Sequence, residues 1–493
     1  MVKGSRPDVT SSTAGEFTEL PVLPHERIWG FRQFTAVNVG LAIATWAFLI
    51  GGTVALFAGV TTAIAATVIG NLVGVVLVAI GTCLPSAKYG VEQYTALRSV
   101  LGTNGVRTLI AILMPLSAAG WNAILAIMFG RAVTNVLNAV FGTSFDPNGP
   151  VVIGMSLLAL FVSWVTLARG PVSLEWINKI VAPVLVVMTL VMLGVLLANH
   201  SWAELTAAEP LEPIGDPRLD FAIALELSFA VAFAWWPITG NLARLTRTQR
   251  VAFWPNLIGL FLASVVAGLV GTFAALAIGD ADPTAWMVPL GGVALGVLAL
   301  LFVAFANVTS IVAQTYSGGL GLIRAGGSVL RRIPWPAFTA LLYLPGAVLV
   351  LFPGVIYDNF FKFAAWTGLA MAPLTAVYLT DYFLLRRGRL HLRELYLPDG
   401  ESRYSFWWGF NPAALLAIAA GCVTYALLLD PWTFESAPLF TYTTASLPAF
   451  VVTALAHVVL TVAMIRPAGK GGYREDVRAP VAPVSADVGE PVA

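Results

Sequence analysis

Residues 221–244 read FAIALELSFAVAFAWWPITGNLAR. The stretch is long and apolar enough to cross a bilayer, yet Pro237, Thr239, Gly240 and Asn241 interrupt it near one end, and a carboxylate, Glu226, lies inside it. A plain anchor needs neither feature. Proline removes a backbone donor and clashes with the preceding turn, so carbonyls around residues 233–236 are expected to lose their helical partners in a medium that supplies none. Such an interruption persists only where it is buried in protein or borders a watery cavity. In transporters, broken helices of this kind build the substrate and ion sites near the membrane midplane.

The rest of the chain supports a membrane reading. Of 493 residues, 58% are hydrophobic and 11% charged, and the mean hydropathy is +0.83, more apolar surface than a soluble globule could hide. Apolar segments near 34–58, 61–84, 107–137, 150–168, 177–199, 220–242, 251–279, 289–322, 336–353, 360–385, 408–429 and 444–465 make about twelve spans. The fold class is therefore an all-α polytopic membrane protein, with lipid as its surroundings. A net charge of +1 and the lack of a basic stripe with interleaved aromatics exclude nucleic acid as a partner. Cys83 and Cys422 sit in separate apolar runs, which excludes a disulfide framework or a zinc spacing. No cofactor motif is present, and no signal for an oligomeric state.

Charge sets the orientation. Arg98, Arg107, Arg169, Lys179, Arg244, Arg247, Arg250, Arg324, Arg331, Arg332, Arg386, Arg387, Arg389 and Arg393 fall in alternate connections, while the intervening ones carry Glu204, Glu209, Glu212, Asp216, Asp280, Asp282, Asp430 and Glu435. An excess of bases marks the cytoplasm, so both termini are expected inside the cell membrane. Residues 1–29 lack the apolar core of a signal peptide and read as a cytoplasmic tail. A first five-helix repeat over 30–200, a second over 201–396, two peripheral helices over 397–466 and a disordered tail over 467–493 complete the expected organisation.

If spans one to five and six to ten are inverted repeats, the first span should be interrupted as the sixth is. Residues 35–52, TAVNVGLAIATWAFLIGG, cluster Asn38, Gly40, Thr45, Gly51 and Gly52 at mid-membrane depth; plain helix–helix packing uses the same residue types. In the eighth span, residues 306–322 (ANVTSIVAQTYSGGLGL) bring Thr309, Ser310 and Gln314 toward one side. The two hydroxyls suit a hard monovalent cation beside carbonyls freed by a broken neighbour, although such hydroxyls also bond back to their own helix, and a glutamine can bridge two helices. In the third span, SAAGWNAILAIMFGR places Trp121 beside Asn122, and Trp235 could supply an opposite aromatic face for a flat heterocycle. Tryptophans also serve as packing and interfacial anchors. Glu226 reads either as a proton-coupling group or as a solvated rim carboxylate.

These residues resemble nucleobase–cation symporter family 1, carriers of cytosine, purines, allantoin, hydantoins, thiamine and its hydroxymethylpyrimidine precursor. The resemblance runs from about Glu26 to about Tyr396. Residues 381–396, DYFLLRRGRLHLRELY, are similar to the family's segment closing the tenth span; AWWPITGNLAR is similar to the cytosine-permease pattern W-x-P-x-x-x-D-x-x-R, with Asn241 where an Asp is usual; and VTSIVAQTYSGG resembles runs of the hydroxymethylpyrimidine and purine–cytosine carriers. The resemblance implies a leucine-transporter fold of ten core helices in two inverted repeats plus two peripheral ones. It implies cation contacts from the carbonyls of Gly40 and Ile43 and the hydroxyls of Thr309 and, in one register, Ser310, and a base stacked between Trp121 and Trp235 that meets Gln314. Hydantoin carriers place glutamines where this chain has Ala44 and Leu125, which argues against hydantoin itself.

The expected function is a secondary active importer of a nucleobase or related planar heterocycle, coupled to Na+ or H+ and working by alternating access, with an allantoin or hydantoin permease of the same fold as the alternative. An enzyme is not expected: His25, His200, His391 and His457 are scattered and no catalytic arrangement accompanies them. A channel would need a continuous polar lining, whereas these polar residues concentrate at one depth.

Overall fold

The computed structural model describes residues 20–168, 172–330 and 332–473. Tail residues 1–19 and 474–493, and the orientation markers Arg169 and Arg331, lie outside the described residues, as do the side chains of Lys179 and Arg324. Among the described residues the chain is helical, with isolated bridges but no strand. Hydrocarbon leaves no other choice for an unpaired backbone short of a closed barrel.

The first span consists of α1 (Phe31–Ala42) and α2 (Thr45–Phe57). There follow α3 (Val60–Tyr89), α4 (Thr103–Phe141), α5 (Pro150–Ala168) and α6 (Val172–Asn199). The sixth span is α7 (Pro217–Phe233) with α8 (Trp236–Ala243). Then come α9 (Gln249–Ile278), α10 (Pro283–Leu330), α11 (Trp335–Leu349), α12 (Phe360–Leu385), α13 (Pro412–Leu428) and α14 (Ser446–Ile465). Among the described residues nine helices are long and apolar enough to cross a membrane, and the bent α1–α2 pair makes a tenth. The shorter apolar α11 and α13 stand where the ninth and eleventh spans were expected. Of the nine unbent spans among the described residues the sixth is the most buried: 83% of its most apolar window is buried, against 33% for α5 and 28% for α14, which leaves the latter two facing lipid.

The two interrupted spans differ in kind. Between α1 and α2 the chain is extended at Ala44 (φ −133°, ψ 176°), and the halves bend by 51°. Neither glycine nor proline occupies the break. Gly51 and Gly52 serve packing instead: a Cβ on Gly51 would lie 1.8 Å from the Gly268 carbonyl oxygen, and one on Gly52 2.0 Å from that of Ala281. Thr272 Oγ1 donates to Gly51 O at 2.9 Å across the same contact. In the sixth span only Ala234 and Trp235 leave the helix, in a tight turn with near-helical angles, and α7 and α8 keep one direction.

Trp235 O keeps partners within the span, accepting from Ile238 N and Thr239 N, contrary to the expected loss, and a neighbouring segment bonds further backbone groups of α8. Gln93, just beyond α3, donates from Nε2 to Trp236 O at 2.8 Å and accepts from Gly240 N at 2.9 Å. Tyr94 OH donates to Pro237 O at 2.9 Å, and Asn241 Oδ1 accepts from Gln93 N at 3.2 Å. Gly240 permits this approach, since a Cβ there would lie 2.3 Å from Gln93 Oε1. The polar residues that interrupt the apolar run are thus the receiving side of a clamp.

Both described ends of the chain meet at one end of the bundle. Val22 N donates to Gly90 O, and Trp29 forms a parallel bridge with Thr246. Residues 467–473, expected to begin a disordered tail, are instead packed: Gly471 O accepts from Arg386 Nη1 at 2.9 Å, and Tyr473 OH donates to Asp381 Oδ1. Asp381, fully buried, also pairs with Arg386 Nε at 2.6 Å and lies 3.4 Å from His457 Nε2. The segment closing α12 therefore binds α14 and the chain beyond it.

Replacing Gln93 with alanine removes its bonds to Trp236 O and Gly240 N, at a net cost of about 0.5–1.5 kcal/mol for each. The thermal unfolding midpoint of the purified Gln93→Ala protein is expected to fall by several degrees, and an unchanged midpoint would remove the clamp from the account.

Candidate functional site

Four spans converge on one cavity. Leu41 and Trp46 come from the two sides of the first-span break, and Val231, Ala234, Trp235 and Ile238 from the α7–α8 turn. Trp121 and Leu125 come from α4, and Ser310 and Gln314 from α10. None of these lining residues carries an ionisable group. The space open to the centre of a water molecule is about 40 Å³, against roughly 10–15 Å³ for a single water. A break in a helix is what allows residues 41 and 46 to reach one cavity.

Three tryptophans shape it. Trp46 stands edge-on to Trp121 (centroids 6.1 Å apart, planes at 79°) and to Trp235 (5.3 Å, 68°). Trp121 is backed by Phe360 and Phe363 of α12, also edge-on. The Trp46 indole N–H donates to Leu41 O at 3.4 Å, the carbonyl that a continuous helix would have offered to residue 45. Trp235 Nε1 and Ser310 Oγ are buried and have no protein partner, and Gln314 Nε2 reaches Ser117 Oγ only at 3.5 Å. Buried polar atoms are normally paired, so these are the groups a bound molecule would satisfy.

The residues singled out from the sequence separate into groups. Trp121, Trp235, Gln314, Leu125 and Ser310 line the same cavity. Asn122, fully buried, turns toward α10 and donates to Thr315 Oγ1 at 2.9 Å, and Ala44 caps α2 from within the break; neither is among the lining residues. Gly40 lies in the last turn of α1, and Ile43 is the first residue beyond it. Thr309 Oγ1 bonds back to Ala306 O at 2.8 Å, whereas the Ser310 hydroxyl is unpaired. Trp46 went unnoticed in the sequence. Its position two residues past an interruption was the available signal, but only the bend shows which way the ring points.

Glu226 does not lie on a solvated rim, being 1% exposed. Its Oε2 accepts from the backbone N–H groups of Ala445 and Ser446, both at 2.9 Å, and its Oε1 from Ser446 Oγ at 2.6 Å. It caps the N-terminus of α14 from another helix, where unpaired N–H groups and the helix dipole favour a negative charge. This geometry ties α7 to the peripheral helices and gives Glu226 no contact with the cavity. At the opposite end from the Asp381 cluster, Arg131 of α4 is 5% exposed and pairs with Asp282 at 2.8 Å, while its guanidinium lies 3.7 Å from the Tyr357 ring centroid.

Residues 21–465 match the family described as permeases for cytosine/purines, uracil, thiamine and allantoin. The chain is 23% identical to the purine-uracil permease NCS1 of Arabidopsis thaliana, over 82% of this chain and 69% of that one. It is also 23% identical to the hydantoin permease of Microbacterium maritypicum, over 82% and 83%. Its fold matches that of Mhp1, a nucleobase-cation-symport-1 family transporter solved in a closed conformation with bromovinylhydantoin bound. That match has a TM-score of 0.72 at 20% identity and covers 91% of this chain and 94% of the other.

Glu226→Ala strips three hydrogen bonds from the start of α14 and should destabilise the protein by about 1–3 kcal/mol, read as a lower unfolding midpoint. Affinity for a cavity ligand should stay within about twofold, because Glu226 does not border the cavity; a tenfold loss of affinity in a folded variant would return Glu226 to the binding site.

Proposed function

This chain belongs to the family of permeases for cytosine/purines, uracil, thiamine and allantoin, and from that premise we propose that it imports a nucleobase or related planar heterocycle by cation symport. It is a multi-pass membrane transporter, not an enzyme. The observation that carries the proposal is the cavity beside the broken first span, walled by Trp46, Trp121 and Trp235 and holding the unpaired polar atoms of Trp235 and Ser310 next to Gln314. Indole rings offer a flat ring large contact areas, and a few fixed polar groups orient it.

The carbonyls of Gly40 and Ile43 and the hydroxyls of Ser310 and Thr309 are the proposed cation ligands, with Thr309 exchanging its bond to Ala306 O for the ion. All four are neutral oxygens that do not titrate near neutral pH, which favours Na+ over a proton as the coupling ion. Cation binding would order the junction of α1, α2 and α10, and that junction supplies Leu41, Trp46, Ser310 and Gln314 to the cavity. Each ligand then favours the same arrangement, so each must tighten the other by the same factor. Rocking of the helix bundle against its scaffold would carry the loaded site inward. We place the protein in the cell membrane with both termini cytoplasmic. Arg98, Arg244 and Arg386 support this, since bases gather toward the end where the described termini meet.

In proteoliposomes a carrier accumulates a radiolabelled heterocycle saturably under a sodium gradient, whereas a pore only equilibrates it. Trp235→Ala and Gln314→Ala should each lower affinity at least about tenfold, about 1.4 kcal/mol, while leaving the unliganded protein folded. Full ligand-induced thermal shifts in both variants would refute the cavity as the binding site. Thr309→Ala and Ser310→Ala should raise the sodium concentration needed for half-maximal uptake, and unchanged sodium titrations in both would refute the ion site.

A further inference from the structure

Trp46 occupies the cavity in a way that neither the predicted pair of aromatic faces nor the ion site requires. Its ring stands edge-on between Trp121 and Trp235, 6.1 Å and 5.3 Å from their centroids, so the gap between those two faces is closed on one side by a third indole. It is also held in place. The ring is 5% exposed, and its N–H is bonded to Leu41 O across the break, so swinging it aside would strand a carbonyl that has lost its helical partner. The remaining space of about 40 Å³ is roughly three times what one water needs.

Resting on the function proposed above, we infer that Trp46 sets the upper size of the substrate and restricts the cavity to neutral single-ring heterocycles, pyrimidines or five-membered ureides, against fused purines. Neutrality follows from the lining, which has no charged group to pair with an ionised ligand. The size limit follows from a wall that is fixed at both ends, by its edge-on aromatic neighbours and by the Leu41 carbonyl. Leu125 closes another part of the same cavity with an apolar surface, so a second fused ring carrying its own polar edge atoms would leave them unpaired there.

The test uses the full chain, purified in detergent and in sodium-containing buffer, with affinities measured for uracil, cytosine, thymine and hydantoin against adenine, guanine and hypoxanthine. The wild type should bind at least one single-ring compound, and every purine at least tenfold more weakly. Trp46→Ala should bring that ratio to within threefold of unity by admitting the purines, and Trp46→Leu should move it in the same direction by a smaller step, which decides the matter if the alanine variant does not fold. Equal or tighter binding of a purine by the wild type overturns the inference while upholding the proposed function. An unchanged ratio in the folded variants does the same. If no compound of either class binds the wild type, the proposed function fails and the role of Trp46 fails with it.

Discussion

Hydrocarbon supplies no hydrogen bonds, so every departure from helix inside this bundle must be answered by another part of the chain. The sixth span shows the constraint most directly. Just past its turn at Ala234 and Trp235, Gln93 and Tyr94 bond backbone groups of α8, Gln93 using both ends of its carboxamide on groups four residues apart. The residues around the turn are then rigid enough to present Trp235 to the cavity.

The first span meets the same constraint with fewer resources. It breaks without proline or glycine at the break, bends further, and uses the Trp46 indole to cover the Leu41 carbonyl. One side chain thereby serves the backbone and the cavity together. This links the segment proposed to hold the ion to the segment proposed to hold the substrate by a short path, Leu41 O to Trp46 to its two aromatic neighbours. The proposed coupling of two ligands needs an element both of them bias, and the break is the element the proposal assigns.

Outside the core the buried charges work as fasteners. Glu226 joins α7 to α14 through the N-terminus of α14, and Asp381 joins α12 to α14 and to residues 471–473. Charges at such depth persist because each is paired or hydrogen-bonded, and loss of a partner costs more than the pair itself contributes. Asp381 and its partner Arg386 lie in the segment similar to the one that closes the tenth span in the family, and their visible task is assembly of the peripheral helices.

Much of this protein was legible in its residues alone. Helical spans follow from runs of about twenty apolar residues, because length and composition are local properties that no tertiary contact needs to confirm. The pairing of Trp121 with Trp235 followed from their residue type and setting, and the resemblance to the family added Gln314 beside them. The tertiary structure decided the rest: that Gly51 and Gly52 are packing surfaces, that the break falls at Ile43 and Ala44, that Asn122 turns away toward Thr315, that Glu226 caps a helix more than two hundred residues along the chain, and that Trp46 closes the cavity. Each of these depends on which way a side chain points once helices cross, and a crossing is fixed by groups distant in sequence. Local pattern specifies that a helix exists and how long it runs; only the packed bundle specifies which of its faces meets which neighbour.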